Sequence, residues 1–193
     1  MRVIAGRARG TRLAGLKGTG VRPTLDRVRE SLFSILGHDL SGECFLDWFG
    51  GSGAVGIEAL SRGAEKVVWI ENNRQAQQLI YANLEKCRFW NGEDESKASN
   101  WVLLKMDALQ AISVMEERSF LFDIVYLDPP FADGLYEDCL AALAKSQLLN
   151  ASSLVVVEHH HKNVLQEFYG KLSRTDQRRV GDNCLSFYGI KNS

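Results

Sequence analysis

Two adjacent prolines, Pro129 and Pro130, close the apolar run Phe122, Ile124, Val125, Tyr126 and Leu127, and so set where one strand must end. Each proline lacks the donor a β-ladder needs and locks φ, so neither continues the interior of a sheet. The run therefore reads as a buried strand that stops at Asp128. The stiff, extended turn that follows leaves a carboxylate (Asp128), a carbonyl (Pro129) and an aromatic face (Phe131) together at one strand end. Such a trio suits a planar NH2 group, with two acceptors for its hydrogens and a ring to stack on. Taken alone, the stretch also fits a plain strand-ending turn that happens to carry an Asp.

Other apolar runs repeat the pattern. Residues 44–49, 66–71, 101–107 and 154–158 read as further strands, and helical spacing fills 57–61, 74–87, 108–117 and 136–144 between them. Residues 171–180 and 184–190, joined by Gly181-Asp182-Asn183, read as a closing hairpin. Strand and helix alternate five times before the hairpin, which predicts an α/β fold: a doubly wound, mostly parallel seven-stranded sheet with an antiparallel C-terminal edge. A first helix is expected after Thr24 as N-cap, with Leu25, Val28, Leu32, Ile35 and Leu36 on one face and Gly37 as its stop. At 193 residues the chain supports one well-buried core and is too short for two ordinary domains. The expected division is a small basic arm over residues 1–22 and one main domain over 23–193.

Charge is unevenly spread. Residues 1–30 hold eight basic side chains against Asp26 and Glu30, a net +6, so the remainder carries -7. Arg2, Arg7, Arg9, Arg12, Arg22 and Arg27 are the candidate contacts to a polyanion, with glycines between them that let the backbone approach phosphate. A solvated, partly disordered terminus is the plainer alternative. Val3-Ile4-Ala5 and Thr11-Arg12-Leu13 suit a short hairpin. No apolar run reaches the roughly 20 residues of a membrane span and the N-terminus lacks a signal-peptide core, so a cytoplasmic protein is expected. Cys44, Cys87, Cys139 and Cys184 stand singly, which argues against a zinc site or a disulfide framework. His159, His160 and His161 would alternate between faces of an extended segment and make a poor chelate, so no metal is expected.

Asp47, Glu71, Asp107 and Asp128 each fall at the C-terminal end of an expected strand, the edge where open α/β sheets bind ligands. Between Asp47 and the next helix lies Gly51-Ser52-Gly53-Ala54-Val55-Gly56, a literal G-x-G-x-x-G. That match alone is shared by dinucleotide sites and other nucleoside sites. Glu71 follows it by about 20 positions, where a carboxylate accepts both ribose hydroxyls. A row of carboxylates repels phosphate but suits a cationic cofactor with a ribose and an amine, which describes S-adenosylmethionine.

Asp47-Trp48-Phe49-Gly50-Gly51-Ser52-Gly53 resembles the cofactor loop of class I methyltransferases. Asp128-Pro129-Pro130-Phe131 resembles the (Asp/Asn)-Pro-Pro-(Phe/Tyr) motif of those that methylate exocyclic amines. With Arg22-Pro23-Thr24 leading into Arg27-Val28-Arg29-Glu30, and Glu71, Asp107 and Val157-Glu158 in register, nearly the whole chain is similar to the bacterial RsmD-type guanine-N2 methyltransferases of small-subunit ribosomal RNA. Trp48 stands where an aliphatic residue is usual, and Phe131 where many relatives have Tyr. A monomer without membrane contact is expected. The resemblance implies action on ribosomal RNA or the small ribosomal subunit. It implies cofactor contacts from Asp47, Phe49, Gly51, Ser52, Gly53, Glu71, Asn72, Met106, Asp107, Ala108 and Asp128. It also implies that Asp128 and the Pro129 carbonyl hold the guanine amine, with Pro130 shaping the turn and Phe131 stacking on the base. The same chemistry on DNA adenine N6 or on a protein glutamine, a dinucleotide-dependent dehydrogenase, and a non-catalytic RNA-binding module are the alternatives.

Overall fold

The computed structural model describes residues 1–15, 26–130 and 135–191. Arg22, Thr24, Leu25 and Phe131 lie outside the described residues.

One sheet organises the chain. It runs β3-β2-β1-β4-β5-β8-β7-β6, where β1 is Cys44–Asp47, β2 Lys66–Ile70, β3 Trp101–Leu104, β4 Phe122–Leu127, β5 Leu149–His160, β6 Phe168–Tyr169, β7 Leu172–Val180 and β8 Asn183–Ile190. The first five are mutually parallel, and β8, β7 and β6 add on antiparallel. The sheet thus has eight strands rather than the seven expected. The extra strand, β6, is two residues long and turns at Gly170 (φ 56), too short for any alternation to register in the sequence. β5 is also longer than expected, and takes in His159 and His160 because β8 pairs with it as far as the His160–Asn183 rung.

Successive strand residues face two separate cores, as a period of two requires. Phe45, Val67, Trp69, Ile124, Tyr126 and Val156 pack beneath α1 (Asp26–Leu36), α2 (Ala54–Ser61) and α3 (Arg74–Lys86). Leu46, Val68, Ile70, Val125, Leu127 and Val157 pack beneath α4 (Ala111–Glu117) and α5 (Leu135–Lys145). The fold is therefore three layers with the sheet in the middle, reached because parallel strands need crossovers that cover both faces.

Two helices begin elsewhere than periodicity suggests. α2 starts at Ala54, inside the glycine stretch, because Gly53 takes the N-cap position in the left-handed region (φ 76). α4 starts at Ala111 because the Asp107 carboxylate first holds a turn, accepting from Leu109 N at 2.9 Å. In α1 the buried face is Val28, Arg29, Leu32 and Phe33, whereas Ile35 is 44% exposed. Arg29 belongs to that face because its guanidinium reaches Asp26 at 3.0 Å and donates to the Arg2 carbonyl.

The N-terminal segment joins the first core rather than hanging free. Val3, Ala8 and Leu13 are buried in it. Residues 1–3 pair with 11–13 around an Arg2–Arg12 bridge, while the amides of Ile4 and Ala5 donate instead to the buried Glu58 carboxylate at 2.8 and 3.0 Å. Arg62 closes the same carboxylate at 2.9 Å. Asn83 on α3 ties in the far end: it accepts from Ala14 N at 2.8 Å and donates to the carbonyls of Ala14 and Ser52 at 3.0 and 2.9 Å.

Gly56 sits where α2 crosses the sheet. A Cβ there would come within 2.4 Å of the Trp69 indole nitrogen, so a side chain must push α2 away from β2. We predict that Gly56→Ala costs about 1–3 kcal/mol, the range for overpacked cores. Chemical denaturation reads this directly, and an unchanged midpoint would contradict the packing described.

Candidate active site

The order of the parallel strands places four acidic residues in a row. Asp107 follows β3, Glu71 follows β2, Asp47 ends β1 and Asp128 follows β4, so all four sit on one edge of neighbouring strands. Strand order reverses direction at β1 and β4, and the crevice at such a switch point is where open α/β sheets take ligands.

Each glycine of the loop has its own reason. Gly51 (φ 50) and Gly53 (φ 76) adopt backbone conformations that L side chains resist, while Gly56 permits the close helix–sheet approach. A Cβ on Gly51 would meet only the Phe49 carbonyl oxygen, at 3.9 Å, so the missing side chain leaves open room above the loop. Glu71 holds the loop in place: one carboxylate oxygen accepts Gly51 N–H at 2.8 Å and the other accepts Asn73 N–H at 2.7 Å. Each oxygen keeps a second lone pair for a ligand. Asn73 then caps α3, accepting from Gln75 N and Ala76 N, and leaves Asn72 exposed at the rim.

Asp47 behaves differently from the other three. It is 2% exposed, and its Oδ2 accepts Gly56 N–H at 3.0 Å from below the loop. Burial pushes its carboxyl up to about 8 against the pull of the Gly56 amide, so at neutral pH it carries little charge. The negative rim is therefore made by Glu71, Asp107 and Asp128, with Asp47 shaping the loop from beneath.

Trp48, which departs from the usual aliphatic residue, is fully buried and donates from its indole nitrogen to the Ala108 carbonyl at 2.9 Å. This bond links the loop after β1 to the loop after β3, which carries Met106, Asp107 and Ala108. An aliphatic side chain has no such donor, and the unusual residue was the only signal of it in the sequence. Phe49 is half-buried beside these groups and packs against the second core. Asp107 is exposed and uses Oδ1 to cap the turn before α4.

Behind Asp128 lies a buried polar group that sequence reasoning left without a role. The Tyr126 hydroxyl donates to Glu158, and Asn183 Nδ2 donates to the other oxygen of Glu158 at 2.5 Å. Burial, then Glu158 and Asp128, hold the Tyr126 phenol well above its ordinary value, so it stays a neutral donor. Tyr136, in the first turn of α5, is likewise raised by burial and by Asp128, which places it beside the corner. Its ring meets His159 edge-on at 6.4 Å, and His159 Nε2 lies 2.8 Å from Ser186 Oγ. The buried His159 thus braces the corner from the sheet side. Pro129 is buried and Pro130 exposed.

The basic residues are split by the fold. Arg27 lies at the rim end of α1, against the β7–β8 turn. Arg7 and Arg9 lie on the turn at the far end of α2, where Arg7 N–H donates to Ser61 O at 2.8 Å. Arg2 and Arg12 fall between, on the bridged segment.

Because the folded state keeps the Asp47 proton that an unfolded chain, at 3.8, releases, stability falls as pH rises from about 4 to about 8 and then levels. Asp47→Asn keeps an acceptor for Gly56 and removes the titration. Its melting temperature relative to the native chain is expected to climb steadily between about pH 5 and pH 8; a pH-independent difference would contradict the burial of this carboxyl.

A family model described as "Conserved hypothetical protein 95" matches residues 1–189. The ribosomal RNA small subunit methyltransferase D of Escherichia coli (strain K12) is 36% identical over 97% of this chain and 89% of its own length. That of Haemophilus influenzae is 35% identical over 82% of this chain and 78% of its own. The solved structure of yhhF from Escherichia coli superposes with a TM-score of 0.81 at 32% identity, covering 100% of this chain and 99% of that one. The family match spans nearly the whole chain, and the chain belongs to the family of the small-subunit ribosomal RNA methyltransferase D proteins.

Proposed function

We propose that the protein is a cytoplasmic monomer that transfers a methyl group from S-adenosylmethionine to the exocyclic N2 amine of a guanine in small-subunit ribosomal RNA. The observation that carries this is the alignment of Glu71, Asp107 and Asp128 on one edge of adjacent parallel strands, with a neutral Asp47 under a glycine loop. The donor set fits the cofactor: anionic groups for its cationic part, a carboxylate with lone pairs left for ribose, and open backbone where Gly51 lacks a side chain. Asp47 acts through the loop it shapes, and the backbone of Gly51, Ser52 and Gly53 with Phe49 lines the methionine part. Glu71, with Asn72 beside it, takes the ribose hydroxyls. Asp107 takes the adenine amine on Oδ2, since Oδ1 already caps the helix turn, and Met106 and Ala108 flank the ring. When bound, the cofactor supplies an electrophilic methyl on a sulfonium.

The chain's own residues prepare the acceptor. The guanine amine lone pair is delocalised into the ring, so two acceptors on its hydrogens, the Asp128 carboxylate and the Pro129 carbonyl, turn it toward a pyramidal geometry. The same carboxylate lies where the nitrogen becomes cationic, and preorganised charge of this kind contributes the larger share of such a barrier reduction. Proline at 129 and 130 holds both acceptors without a backbone donor that would compete. Phe131 stacks on the base turned out of its helix. A role for residues 1–22 as an RNA-facing arm on the transferase body, 23–193, is part of the same reading.

Asp128→Ala is expected to lower methyl transfer to small-subunit RNA by on the order of 100-fold or more, while calorimetric binding of S-adenosylhomocysteine changes little. Native-like turnover in that variant would reject the assignment. The arm is tested by charge rather than deletion, because Val3, Ala8 and Leu13 are core residues. Arg7→Glu with Arg9→Glu is expected to weaken RNA binding and flatten its salt dependence, with the melting temperature lowered only by loss of the Arg7 contact over the Phe89 ring at 5.3 Å; unaltered binding over a salt series would count against it.

A further inference from the structure

The rim changes sign along its length. From β3 to β4 it carries Asp107, Glu71 and Asp128, which repel an RNA backbone. Past β5 it carries cations. The ladder shows where they stand: Leu127 pairs with Val157, Glu158 with Leu185, and Leu185 with Arg178, so Arg178 is level with Asp128 and three strands away. At roughly 4.8 Å between strands this is about 14 Å. Arg179 and the Gly181 turn project beyond it.

Other cations converge on the same tip. Gly181 takes φ 67, and a Cβ there would come within 2.3 Å of the Arg27 guanidinium, so Arg27 lies against the turn. The end of β5 meets the turn from the other side. His161 N–H donates to Asp182 O at 2.8 Å, the His160 and His161 rings lie tilted against each other with centroids 4.4 Å apart, and the exposed Lys162 follows them. Four permanent cations, Arg27, Lys162, Arg178 and Arg179, thus face solvent around one hairpin tip. Asp176 and Asp182 offset part of that charge. Arg178 is paired with Asp176 at 2.8 Å, but both side chains are well exposed, and an exposed pair of this kind exchanges readily for phosphate.

We propose that the β7–β8 tip is an RNA-docking surface that grips the phosphate backbone a few nucleotides from the target base. The acidic cofactor edge closes the opposite direction, so the strand that delivers the base leaves the catalytic corner across β5 and β8 toward the tip. The proposal rests on the reading of the substrate as RNA. It adds the direction of the RNA path and the residues that set it.

The test compares Arg178→Ala with Arg179→Ala against Lys145→Glu, which makes the same change in net charge on an exposed residue at the far end of α5. Binding of the full chain to small-subunit ribosomal RNA, free and in the assembled subunit, is measured over a salt series. The tip variant is expected to lose on the order of tenfold in RNA affinity and to flatten the log–log salt slope by about 1.4 to 1.8, the value for two phosphate contacts. KM for RNA rises with kcat little changed, and S-adenosylhomocysteine affinity stays that of the native chain. Affinity and slope unchanged, or changed only as much as in Lys145→Glu, would overturn the proposal. So would weaker binding to the subunit with unchanged binding to deproteinised RNA, which would assign the tip to a ribosomal protein. A native chain that neither binds nor methylates RNA would instead defeat the underlying reading, and shows as such before any variant is made.

Discussion

Parallel pairing of β1 with both β2 and β4 is the constraint from which the rest follows. Parallel strands end on the same edge, so whatever residue each strand ends on is delivered to the same place. Here those residues are acidic on four neighbours, and the crossovers between them bury both faces. The glycine loop must then turn sharply from β1 into α2 above that edge. It does so with two left-handed glycines and one helix–sheet contact too close for a side chain. On the proposed function, cofactor recognition and base recognition are consequences of one topological fact rather than separately assembled features.

The rim is more economical with charge than its composition suggests. Four carboxylates so near one another would repel each other as well as phosphate. Burial resolves part of this by keeping Asp47 largely neutral and using it as a backbone acceptor. Glu158, a fifth acidic group on the same level, is enclosed by Tyr126 and Asn183. The remaining negative charge lies along the rim, where the proposed cationic cofactor and developing ammonium would meet it. The basic side chains are held at the other end of the same edge and along the N-terminal segment.

Much of this was legible in the residues. The proline pair located the end of β4, and the glycine stretch and the acidic strand ends located the shared edge of the sheet, because backbone restriction and charge are properties of single residues. Long-range pairing was not legible. Nothing in Phe168–Tyr169 announces a strand, since two residues carry no period. Arg29 was hidden on a helix face that reads as apolar, because its partner is a carbonyl 27 positions away. The triple histidine reads as an extended segment past the end of a strand, with no role for any one ring, yet His159 is buried between Tyr136 and Ser186, a contact set by α5 and β8. Likewise, Trp48 looked like a misfit until Ala108 was placed beside it.

The chemical identity of the product tests the proposed activity most directly. Native protein incubated with isotopically labelled S-adenosylmethionine and unmodified small-subunit ribosomal RNA, followed by nucleoside digestion and chromatography, is expected to put the label in N2-methylguanosine. Label recovered in methyladenosine, in protein, or nowhere would contradict it.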